Sequence, residues 1–273
     1  DFPSARLNSF VQNNDSTYTA SIWPENFPIN PSPWYAFKLW SETERAIYIN
    51  LDYSNGAKHR YAPKTSSDGE NWSLLDSTLL QRGVDSTSAQ IKLKVSTDTL
   101  WVAAQEIQDH RRVGAWVKQM ARNSNATSSI AGKSAMGRDL YHINISKGDY
   151  KNKPTVIIIS RQHPPEVTGF LCMKAFVETI IEEGATNGFL EQYRVMVYPL
   201  MNPDGVDLGH YRHNTGGVDL NRDWSQYHQP EIKQVTSHMV RETVINKNEI
   251  GHCAKYQGYL VLLNRSIQKY RWF

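Results

Sequence analysis

Over the first hundred positions, apolar and polar residues alternate with a period near two in several short stretches. Thr17–Trp23, Trp34–Trp40, Arg45–Leu51 and Ala89–Val95 are rich in β-branched and aromatic residues, which predicts strands. Clusters of turn formers separate them, among them Pro28–Pro33, Ser54-Asn55-Gly56 and Ser66-Ser67-Asp68-Gly69. No amphipathic helical stretch intervenes. Residues 1–105 are therefore expected to form an antiparallel β-sandwich.

The period changes near residue 106. Ile107, Val113, Trp116, Val117 and Met120 form an apolar stripe at helical spacing across Glu106–Arg122. The polar run Asn123–Ser129 follows and predicts a loop. Asp139–Ser146 alternates like a half-buried strand. Thr155–Ser160 and Tyr193–Leu200 are nearly continuous apolar runs, as expected of strands covered on both faces. Between these two lies a helical pattern over Glu166–Glu183, ended by Gly184. A further helix is expected over Pro230–Thr243, with His238 on its surface. The fold class read from this pattern is α/β, an N-terminal antiparallel β-sandwich followed by a mixed-sheet α/β domain over 106–273.

Composition narrows the function classes. The 273 residues are 40% apolar and 21% charged, unlike a disordered chain. A chain of this size can bury about 70% of its unfolded surface. No apolar run approaches the ~20 residues of a membrane span. Cys172 and Cys253 are too few for a disulfide scaffold or a cysteine-rich metal cluster. The net charge of +3 gives no basis for nucleic-acid binding. Its distribution is uneven: residues 246–273 hold five basic residues against one acidic, which leaves 1–245 at −1. The sequence opens at Asp1 with no basic segment leading into an apolar one. Abundant Trp, Tyr, Asn, Ser and Thr suit an extracytoplasmic protein, secreted or periplasmic.

Three segments carry candidate chemistry, each at or after the end of a predicted strand, where open α/β sheets bind ligands. The first is Arg161-Gln162-His163-Pro164-Pro165-Glu166. His163 and Glu166 are three apart at a helix start, so both can project to one side, and imidazole nitrogen and carboxylate oxygen are both zinc ligands. An accidental His-x-x-Glu with Glu166 as an early-turn acid stays open. The second is Asn202-Pro203-Asp204-Gly205, ordinary turn chemistry in a place that matters. The third runs from His210 to Trp224. Its Arg212, Asn221 and Arg222 offer guanidinium forks and an amide suited to an anionic end group; a solvated loop is the plainer alternative.

Taken together, HPPE (163–166), NPDG (202–205), the YRHN arginine (212) and GVDLNRDW (217–224) resemble the M14 zinc carboxypeptidases, the carboxypeptidase A-like family. Ser134–Arg138 resembles the family's entry into its first strands. Pro31–Phe37 is similar to the N-terminal β-sandwich of the cytosolic-carboxypeptidase subgroup. The resemblance implies Zn2+ as cofactor, with His163 and Glu166 as two of its three protein ligands. It implies that Arg212 stabilises the oxyanion and that Asn221 and Arg222 grip the substrate's C-terminal carboxylate. The implied substrate is a peptide or protein with a free C-terminal carboxylate. The subgroup's name keeps a cytoplasmic location as the alternative to an extracytoplasmic one.

The match stops short of a full site. The family's third zinc ligand, a histidine usually within Asp-x-His, and its catalytic glutamate have no counterpart among His228, His238 and His252 or Glu231, Glu242 and Glu249. Ile250-Gly251-His252-Cys253 is the nearest stand-in. The tail from about residue 246 is atypical, and the expectation is a truncation or shifted frame that leaves the α/β domain incomplete. Two other functions stay open on these residues. One is a zinc-dependent deacylase of N-acyl amino acids. The other is a non-catalytic binding protein using aromatics of the sandwich among Trp23, Trp34 and Trp40.

Overall fold

The computed structural model describes residues 2–29, 33–243, 250 and 260–263. The chain divides into two compact units: residues 1–109 with Gly205–His213, and His110–Asp204 with residues 214–273. Pro31 and Ser32 and most of the atypical tail, His252 and Glu249 included, lie outside the described residues.

The first unit holds strands β1 (Ser9–Gln12), β2 (Thr17–Ile22), β3 (Ala36–Leu39), β4 (Arg45–Tyr53), β5 (Lys64–Ser66), β6 (Ser73–Leu74), β7 (Leu80–Arg82), β8 (Ser88–Val95) and β9 (Leu100–Ala103). They form a five-stranded sheet, β1-β2-β4-β8-β7, and a four-stranded sheet, β3-β9-β5-β6. The period-two pattern explains the core. In β4 the residues Ile47, Ile49, Leu51 and Tyr53 are buried, and the first three pair across to the buried Leu93, Ile91 and Ala89 of β8. Each such aliphatic side chain contributes about 1.5–3 kcal/mol by leaving water. Tyr35, just before β3, sits 6.4 Å from the ring of Tyr53 in β4, so the two sheets meet there.

The expected sandwich is present, but it is not wholly antiparallel, because β2 and β4 pair parallel. Parallel neighbours need a crossover between them, and here the chain makes it by passing through β3 in the other sheet. Trp34 is a core residue whose indole donates to the Ser4 carbonyl, 2.8 Å, whereas Trp23 and Trp40 are exposed.

The second unit contains α1 (His110–Met120), β10 (Ala126–Lys133), β11 (Asp139–Ile145), β12 (Thr155–Ile159), α2 (Val167–Glu183), α3 (Phe189–Gln192), β13 (Arg194–Tyr198), α4 (Pro203–Asp207, whose last residues belong to the first unit), α5 (Pro230–Glu242) and β14 (Leu260–Leu263). The sheet order is β10-β11-β13-β12-β14, with β12 and β13 parallel and the remaining pairs antiparallel. Every residue of β12 and β13 is buried, as their apolar runs predict. On one face Ile157, Ile159, Met196 and Tyr198 pack with Trp224 and with Ile232, Val235 and Met239 of α5.

Three local expectations change. The polar run expected as a loop enters β10 at Ala126; β10 is an edge strand, and its Thr127 and Ser128 are exposed while their backbone joins the ladder. Gly184 closes α2 in a right-handed conformation; a Cβ there would stand 2.5 Å from the Ile180 carbonyl oxygen, so space rather than a left-handed φ requires the glycine. His238 is buried, because the inner face of α5 is covered by the sheet; its Nδ1 lies 2.9 Å from the Tyr198 hydroxyl.

Candidate active site

The parallel pairing of β12 and β13 sends the two following segments out at the same end of the sheet. Ser160 extends the ladder by donating to the Tyr198 carbonyl, 3.0 Å. Arg161 then turns the chain with a positive φ of 56°. The Glu166 amide donates to the His163 carbonyl at 3.3 Å, which closes the turn and sets Glu166 at the N-cap of α2. His163 Nδ1 meets Glu166 Oε1 at 2.8 Å. The two residues proposed as a pair from their spacing are therefore together.

The other imidazole nitrogen is also taken. His163 Nε2 lies 2.8 Å from Asp219 Oδ1. Asp219 stands within GVDLNRDW, where sequence alone does not mark it as a partner of His163. The available signal was chemical: a ligating histidine needs an acceptor on its second nitrogen to fix the tautomer. Asp219 also accepts the Asn221 amide, 2.9 Å, and so caps the 3-10 turn Leu220–Arg222. Burial pulls the His163 pKa down, but the hydrogen bonds to Asp219 and Glu166 outweigh it and the net shift is upward.

Buried polar residues hold this arrangement. Trp224 donates from its indole to Gln162 Oε1, 2.6 Å, which ties the GVDLNRDW loop to the HPPE turn. Asn202, fully buried, donates its backbone N–H to the Arg161 carbonyl, 3.1 Å, and its side-chain amide to the Gln162 carbonyl, 3.3 Å. The NPDG segment is a short helix rather than a simple turn. Its Asp204 is fully buried and accepts from Ser134 Oγ, the Met136 amide and Arg138. Asn214 braces the later loop, accepting from the amides of Gly216 and Val218.

Asn221 and Arg222 follow directly on Asp219. The Asn221 side-chain oxygen is buried without a hydrogen-bond partner, which leaves an acceptor for a ligand or water. Arg222 is exposed. Arg212 belongs to the first unit, where a single carboxylate organises its segment. Glu25 accepts the backbone amides of Tyr211 at 2.6 Å, Arg212 at 2.9 Å and His213 at 2.6 Å. Burial raises the Glu25 pKa, but these bonds more than reverse that and the net shift is downward.

The donor chemistry at His163 and Glu166 fits a zinc ion at two corners: Nε2 is committed to Asp219, and Nδ1 faces a carboxylate oxygen. Among the described residues no group of three or more His, Cys, Asp or Glu side chains forms a complete metal site. His238 is bound instead to Tyr198 and lies 3.5 Å from Ser129 Oγ. Among the described residues no helix is long and apolar enough to cross a membrane.

Comparison with known proteins bears on this geometry. The family model for zinc carboxypeptidases, peptidase M14, matches residues 113–255, which extends past the point where the sequence pattern turned atypical. Cytosolic carboxypeptidase 2 of Danio rerio is 22% identical over 284 residues, covering 92% of this chain and 39% of that protein. The metallo-carboxypeptidase structure from Burkholderia cenocepacia superposes with a TM-score of 0.74 at 19% identity, over 88% of this chain and 66% of that one. A metallo-carboxypeptidase from Pseudomonas aeruginosa, solved with (2-guanidinoethylmercapto)succinic acid, gives 0.72 at 22% identity, over 89% and 66%. The chain spans from 10% to 54% of the length of the curated relatives it matches at the head of that comparison. The fold is thus that of the metallocarboxypeptidases, and, with more than half of its residues matched by the family model, the chain belongs to the zinc carboxypeptidase family.

Proposed function

We propose that the chain acts as a zinc-dependent metallocarboxypeptidase, releasing residues from the C-terminus of peptides or proteins. The observation that carries this reading is the imidazole of His163 held between the carboxylates of Glu166 and Asp219, 2.8 Å from each. His163 Nδ1 and Glu166 would hold Zn2+, which when bound supplies a Lewis acid for the scissile carbonyl. Asp219 fixes the ring so that Nδ1 is the nitrogen presented. Asn221 and Arg222 bind the terminal carboxylate, Asn221 by donating from the side-chain N–H2 of a half-buried residue and Arg222 from an exposed guanidinium. Arg212 stabilises developing oxyanion charge, an effect worth a few kcal/mol in such sites. That the Pseudomonas aeruginosa relative was solved with a succinic acid derivative is in keeping with recognition of carboxylates. The third zinc ligand and the general base are assigned to none of the described residues.

The test is a zinc determination on the purified chain together with release of C-terminal residues from a peptide mixture, with His163→Ala as control. Parallel assay of N-acyl amino acids separates a deacylase from a peptidase. A chain that takes up no zinc and frees no product from either substrate class refutes the proposal.

A further inference from the structure

Arg161 combines two unfavourable features beside the HPPE turn. Its φ of 56° is left-handed, a region that suits Gly or Asn and penalises a long side chain. Its side chain is also buried, at 2% residue exposure, although guanidinium groups are seldom removed from water. Such outliers persist when the surroundings over-determine them, and they gather at functional sites.

The contacts say what Arg161 does. Nη2 donates to the Pro164 carbonyl at 2.6 Å. The guanidinium carbon lies 5.8 Å from the ring centroid of Phe170. Pro164 stands between His163 and Glu166, and Phe170 is one turn into α2, with its amide on the Glu166 carbonyl. Pro164 and Pro165 have no N–H, so the turn is short of backbone donors between its two chemical groups. The arginine supplies one from below. Its own carbonyl accepts the Asn202 amide, which anchors the guanidinium's base to the segment after β13.

We propose that Arg161 is a positioning residue: its buried guanidinium staples the Pro164 carbonyl and the first turn of α2, and so fixes the separation of His163 and Glu166. The inference rests on the reading of those two residues as zinc ligands and goes beyond it by naming what holds them in place.

The experiment uses the full chain and compares wild type with Arg161→Gly and Arg161→Lys. Each protein is checked by far-UV circular dichroism, titrated with Zn2+ against a chelator, and loaded with Co2+ for its visible spectrum. Glycine tolerates the left-handed φ, so R161G removes the staple and leaves the backbone conformation accessible. The expected result is zinc binding weakened about 10–100-fold in R161G, with an altered Co2+ spectrum. R161K, with one ammonium in place of the fork, should fall between wild type and R161G. An R161G protein that binds zinc as tightly as wild type with the same Co2+ spectrum overturns the staple while leaving the metal reading intact. If R161G does not fold, wild-type affinity and spectrum in R161K overturn it equally. A wild-type chain that binds no zinc refutes the metal reading, and the staple with it.

Discussion

Glu25 and Asp219 are both largely buried carboxylates that hold a segment of the candidate site, yet they do it in opposite ways. Glu25 receives three consecutive backbone amides, Tyr211 to His213, from 186 to 188 residues away. Asp219 receives one backbone amide and one imidazole nitrogen. The first carboxylate holds a length of main chain; the second sets the orientation and protonation of a side chain. Loss of Glu25 should therefore appear mainly as lost stability, and loss of the Asp219 charge mainly as lost site chemistry.

The largest effect expected is from Glu25→Ala. Hydrogen bonds to a charged group are worth about 1.5–3 kcal/mol each and the amides left behind are at least partly buried, so denaturant unfolding should show a loss of about 3 kcal/mol or more. If unfolding of E25A coincides with wild type, the contrast between the two carboxylates fails. Asp219→Asn should lower zinc affinity about 10–100-fold while shifting stability by less than about 1 kcal/mol. A drop in unfolding free energy as large as that of E25A would place Asp219 in the same structural role as Glu25.

Acid should expose the same distinction. The Glu25 pKa is depressed in the folded state, so its contribution is present above the unfolded value of 4.5 and lost as pH falls through the lower folded one. His59, in the same unit, is held neutral mainly by burial and also by nearby Arg82, with its pKa lowered from 6.5 to about 4. Its contribution is likewise present above pH 6.5 and lost as pH falls toward 4. A pH series of urea unfolding should show stability declining from about pH 6.5 downward, and His59→Gln should make that decline shallower, with the buried His142 and His238, whose pKa values burial also lowers, keeping the remainder. An unchanged slope would remove His59 from the account. The smallest effect is expected at a surface pair whose lysine is exposed and whose carboxylate is half-buried. Lys133→Ala, which breaks the surface pair with Asp139 at 2.5 Å, should cost no more than about 1 kcal/mol.

Much of the fold was legible because burial leaves a local signature. The continuous apolar runs of β12 and β13, and the three-and-four spacing through α2, each encode how many faces are covered. β10 was not legible, since an edge strand with one partner can be as polar as a loop. The parallel pairing of β2 and β4 was hidden because it depends on where the chain goes between them. His163 and Glu166 were legible because three-residue spacing at a helix start is itself geometry. Asp219 lies 56 positions from His163 and Glu25 lies 187 from Arg212. No local pattern announces partners brought together by tertiary folding, and the same holds for His238, whose burial is decided by the sheet beneath α5.

One pairing sets a timetable for synthesis. β12, the strand that leads into His163, has β13 on one side and β14 on the other, with Thr155 opposite Leu263. A nascent chain halted after α5 would have every residue of the His163–Glu166–Asp219 cluster already made, yet it would carry an open hydrogen-bonding edge beside them. Such an edge recruits strands from other molecules, and long-range closure is slow. Delivery of β14 covers that edge of β12 and moves the open edge one strand away from the cluster.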